Sequence, residues 1–196
     1  IIDTGCNDDE KRHGLSRYVG KSIVWFDTSA NKKKSQKRTK GGSYINEEEK
    51  RIILEILDDL KSTGELKGLD IGIITGYSGQ KELLRKSIKA TGLDKIASKI
   101  DINTLDAFQG RENDIIIYST VRTRDSIGFQ KEKERVNVAF SRAKKLLIVC
   151  GDKNFFYNFD DQDNKFVEII DYISEEEECE IIQCDGGKLF ERESNS

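Results

Sequence analysis

Proline and methionine are both missing from this 196-residue chain. Without a methionine at position 1 or elsewhere, the sequence reads as a piece of a longer polypeptide. The lack of proline has no physical account in the pattern of the chain. Histidine occurs once, at His13, and the four cysteines Cys6, Cys150, Cys179 and Cys184 form no CxxC pair. A structural zinc site needs about four clustered ligands, so a zinc module is excluded. Reduced cysteines suit a cytoplasmic protein, with Cys150 expected in the core because it ends an apolar run. No stretch approaches the ~18 apolar residues of a membrane span, and no signal peptide opens the chain. A clear excess of either charge is also missing. Charged residues make up 35% of the chain, yet the formal net charge is −3, so composition alone does not announce a nucleic-acid binder.

What is present is an alternation of strand and helix signals over a length suited to one buried core. Residues 1–20 are polar and broken by Gly5, Gly14 and Gly20. Residues 22–27 read as a short buried strand, followed by a loop at 31–42 in which six of the ten residues 31–40 are Lys or Arg. That loop reads as solvated and mobile, with no aromatic residue interleaved to stack a base. Asn46 is placed to cap a helix and Glu49, three residues on, to complete a capping box. Ile52, Ile53, Ile56, Leu57 and Leu60 then form one apolar stripe, and Gly64 stops it. Further strands are expected at 70–75, 99–104, 114–121 and 146–150, with helices at 80–91, 132–143 and 166–173. The main domain is expected over 21–174, and the glutamates of 175–178 open an acidic tail (175–196) that folds poorly or adds an edge strand at 180–183. Alternating elements with continuous apolar strands imply an α/β fold, a mostly parallel sheet flanked by helices. Ligands in such sheets gather at the carboxyl ends of the strands, which points to residues 75–81, 104–112, 122–128 and those after Gly151.

Gly14-Leu-Ser-Arg-Tyr-Val-Gly20-Lys21-Ser22 imitates a phosphate loop, but five residues separate its glycines instead of four. The Gly-Lys-Ser also leads into a strand rather than opening a helix whose N–H groups could meet phosphates. No apolar strand ends in an acidic pair for magnesium. The chain therefore lacks its own nucleotide cradle. Two other segments are harder to explain by packing alone. Thr104, Asp106, Gln109, Gly110, Arg111 and Glu112 crowd hydrogen-bonding groups into nine residues at a strand end. Arg135 and Arg142 stand two turns apart on a helix whose apolar face is Val136, Ala139 and Phe140, and arginine is the side chain that neutralises charge on a transferring phosphoryl group.

Together with residues 71–80 and with Ser43-Tyr-Ile-Asn46-Glu-Glu-Glu49, these blocks resemble motifs of superfamily 1 helicases, in order and spacing, over about residues 22–152. The likeness is to the branch of the up-frameshift RNA helicase, senataxin and the DNA nuclease-helicases. Departures are Gly76 for a usual proline, Lys81 for an arginine, Glu134 for an arginine and Ser141 for threonine. The resemblance implies the second RecA-like domain of a motor, a P-loop-NTPase fold without the phosphate loop. It implies ATP with Mg2+ held mainly by a phosphate-loop domain of the same polypeptide, and single-stranded DNA or RNA crossing both domains. Arg142 matches the arginine finger, with Lys81 and Gln109 beside it in catalysis. Gln80, Gly110, Arg111, Glu112 and Arg135 match the nucleotide side. Thr75, Thr104, Asp106 and Arg122 fall to the nucleic-acid side. A binding module that has lost motor function is the alternative.

Overall fold

The computed structural model describes residues 13–65, 68–95, 99–108, 110–161 and 164–190; Cys6 and Gln109 lie outside them. Strand β1 (Ile23–Asp27) is followed by a short antiparallel ribbon, β2 (Lys37–Arg38) with β3 (Tyr44–Ile45), and then helix α1 (Glu47–Ser62). Next come β4 (Asp70–Thr75), α2 (Ser78–Thr91), β5 (Lys99–Thr104) and β6 (Asn113–Ser119). The chain continues with α3 (Lys133–Phe140), β7 (Ala143–Gly151), the short α4 (Lys153–Tyr157), α5 (Lys165–Glu175) and β8 (Cys179–Gln183). The main sheet has six strands in the order β5-β4-β6-β7-β1-β8, and every pairing in it is parallel. This is the expected α/β architecture, helices on both faces of a parallel sheet.

Side-chain alternation along the strands divides the core in two. Val24, Phe26, Ile71, Ile73, Ile115, Ile117 and Ile148 meet the α1 stripe and Leu84 and Ile88 of α2 on one face. Ile23, Trp25, Ile116, Tyr118, Leu147 and Val149 meet Val136 and Phe140 of α3 and Phe166 and Ile170 of α5 on the other. Each fully buried aliphatic side chain contributes about 1.5–3 kcal/mol, so these two layers hold the sheet between its helices. Cys150 is wholly buried, and burial pushes its thiol well up, which keeps it protonated.

Several boundaries differ from the sequence reading for identifiable reasons. Helix α3 stops at Phe140 and β7 begins at Ala143, because Ala143 pairs with Asn113 at the start of β6 instead of continuing the helix. Val121 is not strand: its φ is 69°, in the left-handed region that a β-branched residue avoids. The Gly-Lys-Ser segment is a turn before β1, with Lys21 Nζ donating to the carbonyls of Glu177 and Cys179. Residues 176–190 are packed rather than loose. β8 completes the sheet beside β1, and Phe190 meets Phe26 edge to face at 6.3 Å.

The basic segment is likewise ordered. Asn31 and Gln36 are buried; the Gln36 side chain accepts from Thr123 N–H at 2.9 Å, and Gln36 N–H donates to Thr123 Oγ1 at 3.2 Å. The segment is thereby fixed against the 122–128 loop, while the side chains of Lys37 and Arg38 stay exposed.

Candidate functional site

Strand register places the motif residues on two opposite edges of the sheet. Thr75 is level with Thr104 and with Ser119, and Ser119 with Cys150, so the motif residues at these strand ends share the carboxyl edge. At the other edge Asn113 is level with Ala143, and the Arg142 carbonyl accepts Asn113 N–H at 3.1 Å. Arg111 and Glu112, both exposed, precede Asn113 directly, so they neighbour Arg142 at the amino edge. The crowded segment after β5 is thus a bridge from one edge to the other. Phe108 anchors it by lying over Gly72, where an added Cβ would come within 2.5 Å of the ring. The expectation that residues 104–112 gather at one strand end is corrected: Thr104 and Asp106 stand at the carboxyl edge, Arg111 and Glu112 at the amino edge, with exposed Gly110 between.

The two arginines of the α3 segment separate in the same way. Arg135 lies near the start of α3 and Arg142 two residues beyond its end. Arg135 sits in the first turns, pairing with Glu132 at 2.7 Å and reaching Asp106 at 3.8 Å. It belongs with the carboxyl-edge residues and not with Arg142. Arg142 is half-buried, its Nε donating to the Val138 carbonyl at 3.2 Å, and no carboxylate pairs with it among the described residues. Arg111 differs, being bound to Asp101 at 2.6 Å. Lys81, in the first turn of α2 beside Glu82, is likewise at the carboxyl edge. Roughly the height of a six-residue strand, about 20 Å, parts it from Arg142.

Gln80 is fully buried, and its amide is consumed inside the fold. Oε1 accepts Asn46 N–H at 2.8 Å, while Nε2 donates to the Asn46 carbonyl at 3.1 Å and to Ser119 Oγ at 3.0 Å. It does not present that amide to a ligand. Arg122 is also buried, its guanidinium donating to the carbonyls of Ser126 and Arg124 and lying over the Tyr44 ring at 4.1 Å. It shapes the loop that follows β6. Thr75 is buried with its hydroxyl lacking a partner.

A knot beneath the carboxyl edge was not foreseen in this form. Asn46 caps α1 as expected, its Oδ1 accepting from Glu48 and Glu49 N–H. Glu49 does not complete a capping box, because Gln80 already occupies Asn46 N–H. Its carboxylate crosses instead to the end of β6. It accepts from Ser119 Oγ at 2.6 Å, from Thr120 Oγ1 at 3.2 Å and from Val121 N–H at 2.9 Å to each oxygen. Asn46 Nδ2 donates to the Val121 carbonyl at 3.2 Å. Both backbone groups of strained Val121 are therefore pinned by the first turn of α1, which is what sustains a conformation costing about 1–3 kcal/mol. Complete burial pushes the Glu49 carboxyl up to about 8, against the pull of its hydrogen-bond donors.

Sequence reasoning also missed an aromatic cluster. Tyr44 meets Tyr77 edge to face at 5.6 Å, Tyr77 meets Phe129 at 5.7 Å, and the Arg135 guanidinium lies 5.3 Å from the Phe129 ring. The one signal for it was Gly128 before Phe129. Gly128 has a φ of 63°, and a Cβ there would strike the Tyr77 hydroxyl at 2.2 Å.

A groove of about 850 Å³ on the outer side of α1 is lined by Lys33, Lys37, Glu48, Arg51 and Glu55 among others. Arg51 pairs with both Glu48 and Glu55, so much of its charge is spent internally. No helix of the described residues is long and apolar enough to cross a membrane.

Comparison with known proteins agrees with the motif pattern. Residues 6–154 match the model of an AAA domain family. An uncharacterized ATP-dependent helicase of Methanocaldococcus jannaschii is 38% identical over 144 residues, covering 72% of this chain and 20% of its own length. The probable helicase senataxin of Mus musculus is 37% identical over 118 residues, covering 58% of this chain and 4% of its own length. The chain thus spans a fifth or less of these two relatives. The solved C-terminal domain of a possible DNA helicase from Lactobacillus plantarum aligns with a TM-score of 0.43 and 15% identity, over 74% of this chain and 82% of that one.

Proposed function

The chain belongs to the AAA domain family and matches the second RecA-like domain of superfamily 1 helicases of the up-frameshift and senataxin branch, and from that premise we propose that it is the arginine-finger half of an ATP-driven nucleic-acid motor. The observation that carries the reading is Arg142: half-buried at the amino edge, held at Nε by the last turn of α3, and unmatched by any carboxylate among the described residues. A guanidinium in that state suits the oxygens of a phosphoryl group.

ATP would lie against the amino edge, with Arg142 at its terminal phosphate and Arg111, Glu112 and Gly110 nearby. Among the described residues no cluster of three or more acidic, histidine or cysteine side chains could hold a metal ion. By the motif resemblance, the acids for Mg2+ and the phosphate cradle fall to a phosphate-loop domain of the same polypeptide, at work in the cytoplasm. Single-stranded DNA or RNA would run along the carboxyl edge past Thr104, Asp106, Lys81 and Arg135. With the two ligands on opposite edges, the sheet between them is the element through which closure at one is felt at the other.

The purified 196-residue chain is expected to show no strand-stimulated ATP hydrolysis above its Arg142→Ala variant. Turnover that appears in the isolated chain and depends on Arg142 would overturn the division of labour. The ordered basic ribbon gives a second test. Neutralising Lys32, Lys33, Lys37, Arg38 and Lys40 should flatten the dependence of log affinity on log salt, by about 0.7 for each phosphate of a single strand that is no longer neutralised. Lys34 is spared because its Nζ lies 2.7 Å from the buried carboxylate of Asp152. An unchanged slope would remove the ribbon from the nucleic-acid track.

A further inference from the structure

We propose that Phe129 is a stacking platform for one base of a single strand, an inference that rests on the nucleic-acid reading above and assigns a residue to it. The ring is 51% exposed, although the residues on either side of it, Gly128 and Gln130, are half-buried and buried. It is also held in place. Its back meets Tyr77, which is 4% exposed and leans on Tyr44, and Tyr44 in turn lies under Arg122. Gly128 permits this contact, since any side chain there would collide with the Tyr77 hydroxyl. A ring presented to water on such a rigid footing has its side-chain entropy already spent, so little more is lost when a base stacks on it.

The chemistry around the ring selects the occupant. Across the ribbon Arg38 is level with Tyr44, and the Gln36 bonds to Thr123 bring the exposed Arg124 alongside. Arg135 adds a cation beside Phe129 itself, partly neutralised by Glu132 and Asp106. Accessible cations therefore stand beside aromatic rings, Arg38 next to Tyr44 and Arg135 next to Phe129. A charged track with an aromatic platform is the pattern that binds single strands without reading sequence. A protein partner is the poorer fit. Among the described residues the other exposed large apolar side chains, Val19, Tyr157 and Tyr172, belong to different elements, and one ring falls far short of a protein interface.

The test is fluorescence anisotropy on the 196-residue chain with two probes of about 12 nucleotides, an oligothymidylate and an abasic strand with the same phosphates. Phe129→Ala should weaken oligothymidylate binding roughly 5- to 150-fold, the value of one stacked base, and leave abasic binding unchanged. Phe129→Leu keeps apolar bulk against Tyr77 but not the aromatic face, so it should lose as much while melting like the parent. Full oligothymidylate affinity in both variants would overturn the proposal and leave the ring to a protein contact. Equal losses on both probes would also overturn it, because the effect would then lie in the phosphate track. If the parent chain binds neither probe, the nucleic-acid reading falls with it.

Discussion

Arg142→Ala, in a polypeptide that also carries a phosphate-loop domain, is expected to lower ATP turnover at saturating single strand by about 10³-fold or more, the range for loss of an arginine finger. Arg142→Lys should recover little, since an ammonium cannot reproduce the planar fork. The fold should be nearly untouched. Among the described residues the side chain makes one bond, to the Val138 carbonyl in the last turn of α3, and the sheet contact at this position uses the Arg142 backbone, which substitution leaves in place. Nucleotide-free strand binding should also hold, because the carboxyl edge lies at the far side of the sheet. Steady-state hydrolysis, strand binding and a thermal melt together decide the matter. Near-normal turnover in the alanine variant removes the finger assignment, and a collapsed melt would make Arg142 a structural tie.

Glu49→Ala should destabilise the domain by about 3 kcal/mol or more, because it strands the Val121 N–H and the Ser119 and Thr120 hydroxyls in a dry interior. Glu49→Gln keeps the shape and one acceptor oxygen but turns an NH2 group toward donors, so it should fall between. The pH dependence has a definite sign. The carboxyl is raised from 4.5 to about 8 in the fold, so the folded state keeps a proton that the unfolded chain has released. The Glu49 contribution is complete below pH 4.5, declines as pH rises toward 8, and stays flat above it. Urea unfolding at several pH values should show the parent losing more stability over this window than Glu49→Gln. Identical slopes would mean that Glu49 is ionised in the fold. The loss should be felt at the carboxyl edge as well, since Val121 leads into the loop that carries Arg122, Arg124 and Phe129.

Local pattern carried some assignments a long way and others only partly. The α1 stripe, the apolar run of β7 and the turn before β1 depend on near neighbours in sequence, so period and breakers were enough to place them. Residues 176–190 were harder: a run of glutamates signals solvation, while burial of β8 depends on an open edge of β1, at the other end of the chain. The basic segment was legible in part: Lys32, Lys33, Lys37, Arg38 and Lys40 are exposed, as six cations in ten residues suggest, but the bonds of Gln36 to the loop after β6 join partners too far apart in sequence to be read from it.

The residues alone determined the kind of fold and the family, because alternating apolar periods dictate a covered parallel sheet and because the motif residues stand in a fixed order along the chain. Which residues act together was decided only in three dimensions. Arg135 and Arg142 share one helical segment and read as a pair, yet a helix that crosses the sheet delivers them to opposite edges. Thr104 and Arg111 sit in one motif, yet the bridge anchored by Phe108 carries them to opposite edges of the sheet. Glu49 looks like a cap by spacing, but Gln80, from another helix, had taken the cap's place and left the carboxylate free to pin Val121. Tyr44, Tyr77 and Phe129 are far apart in sequence and form one surface because the parallel register brings the ends of β4 and β6 level, beside the ribbon that ends at Ile45. Spacing along a chain fixes which side chains a segment offers; the register of the sheet fixes which of them meet.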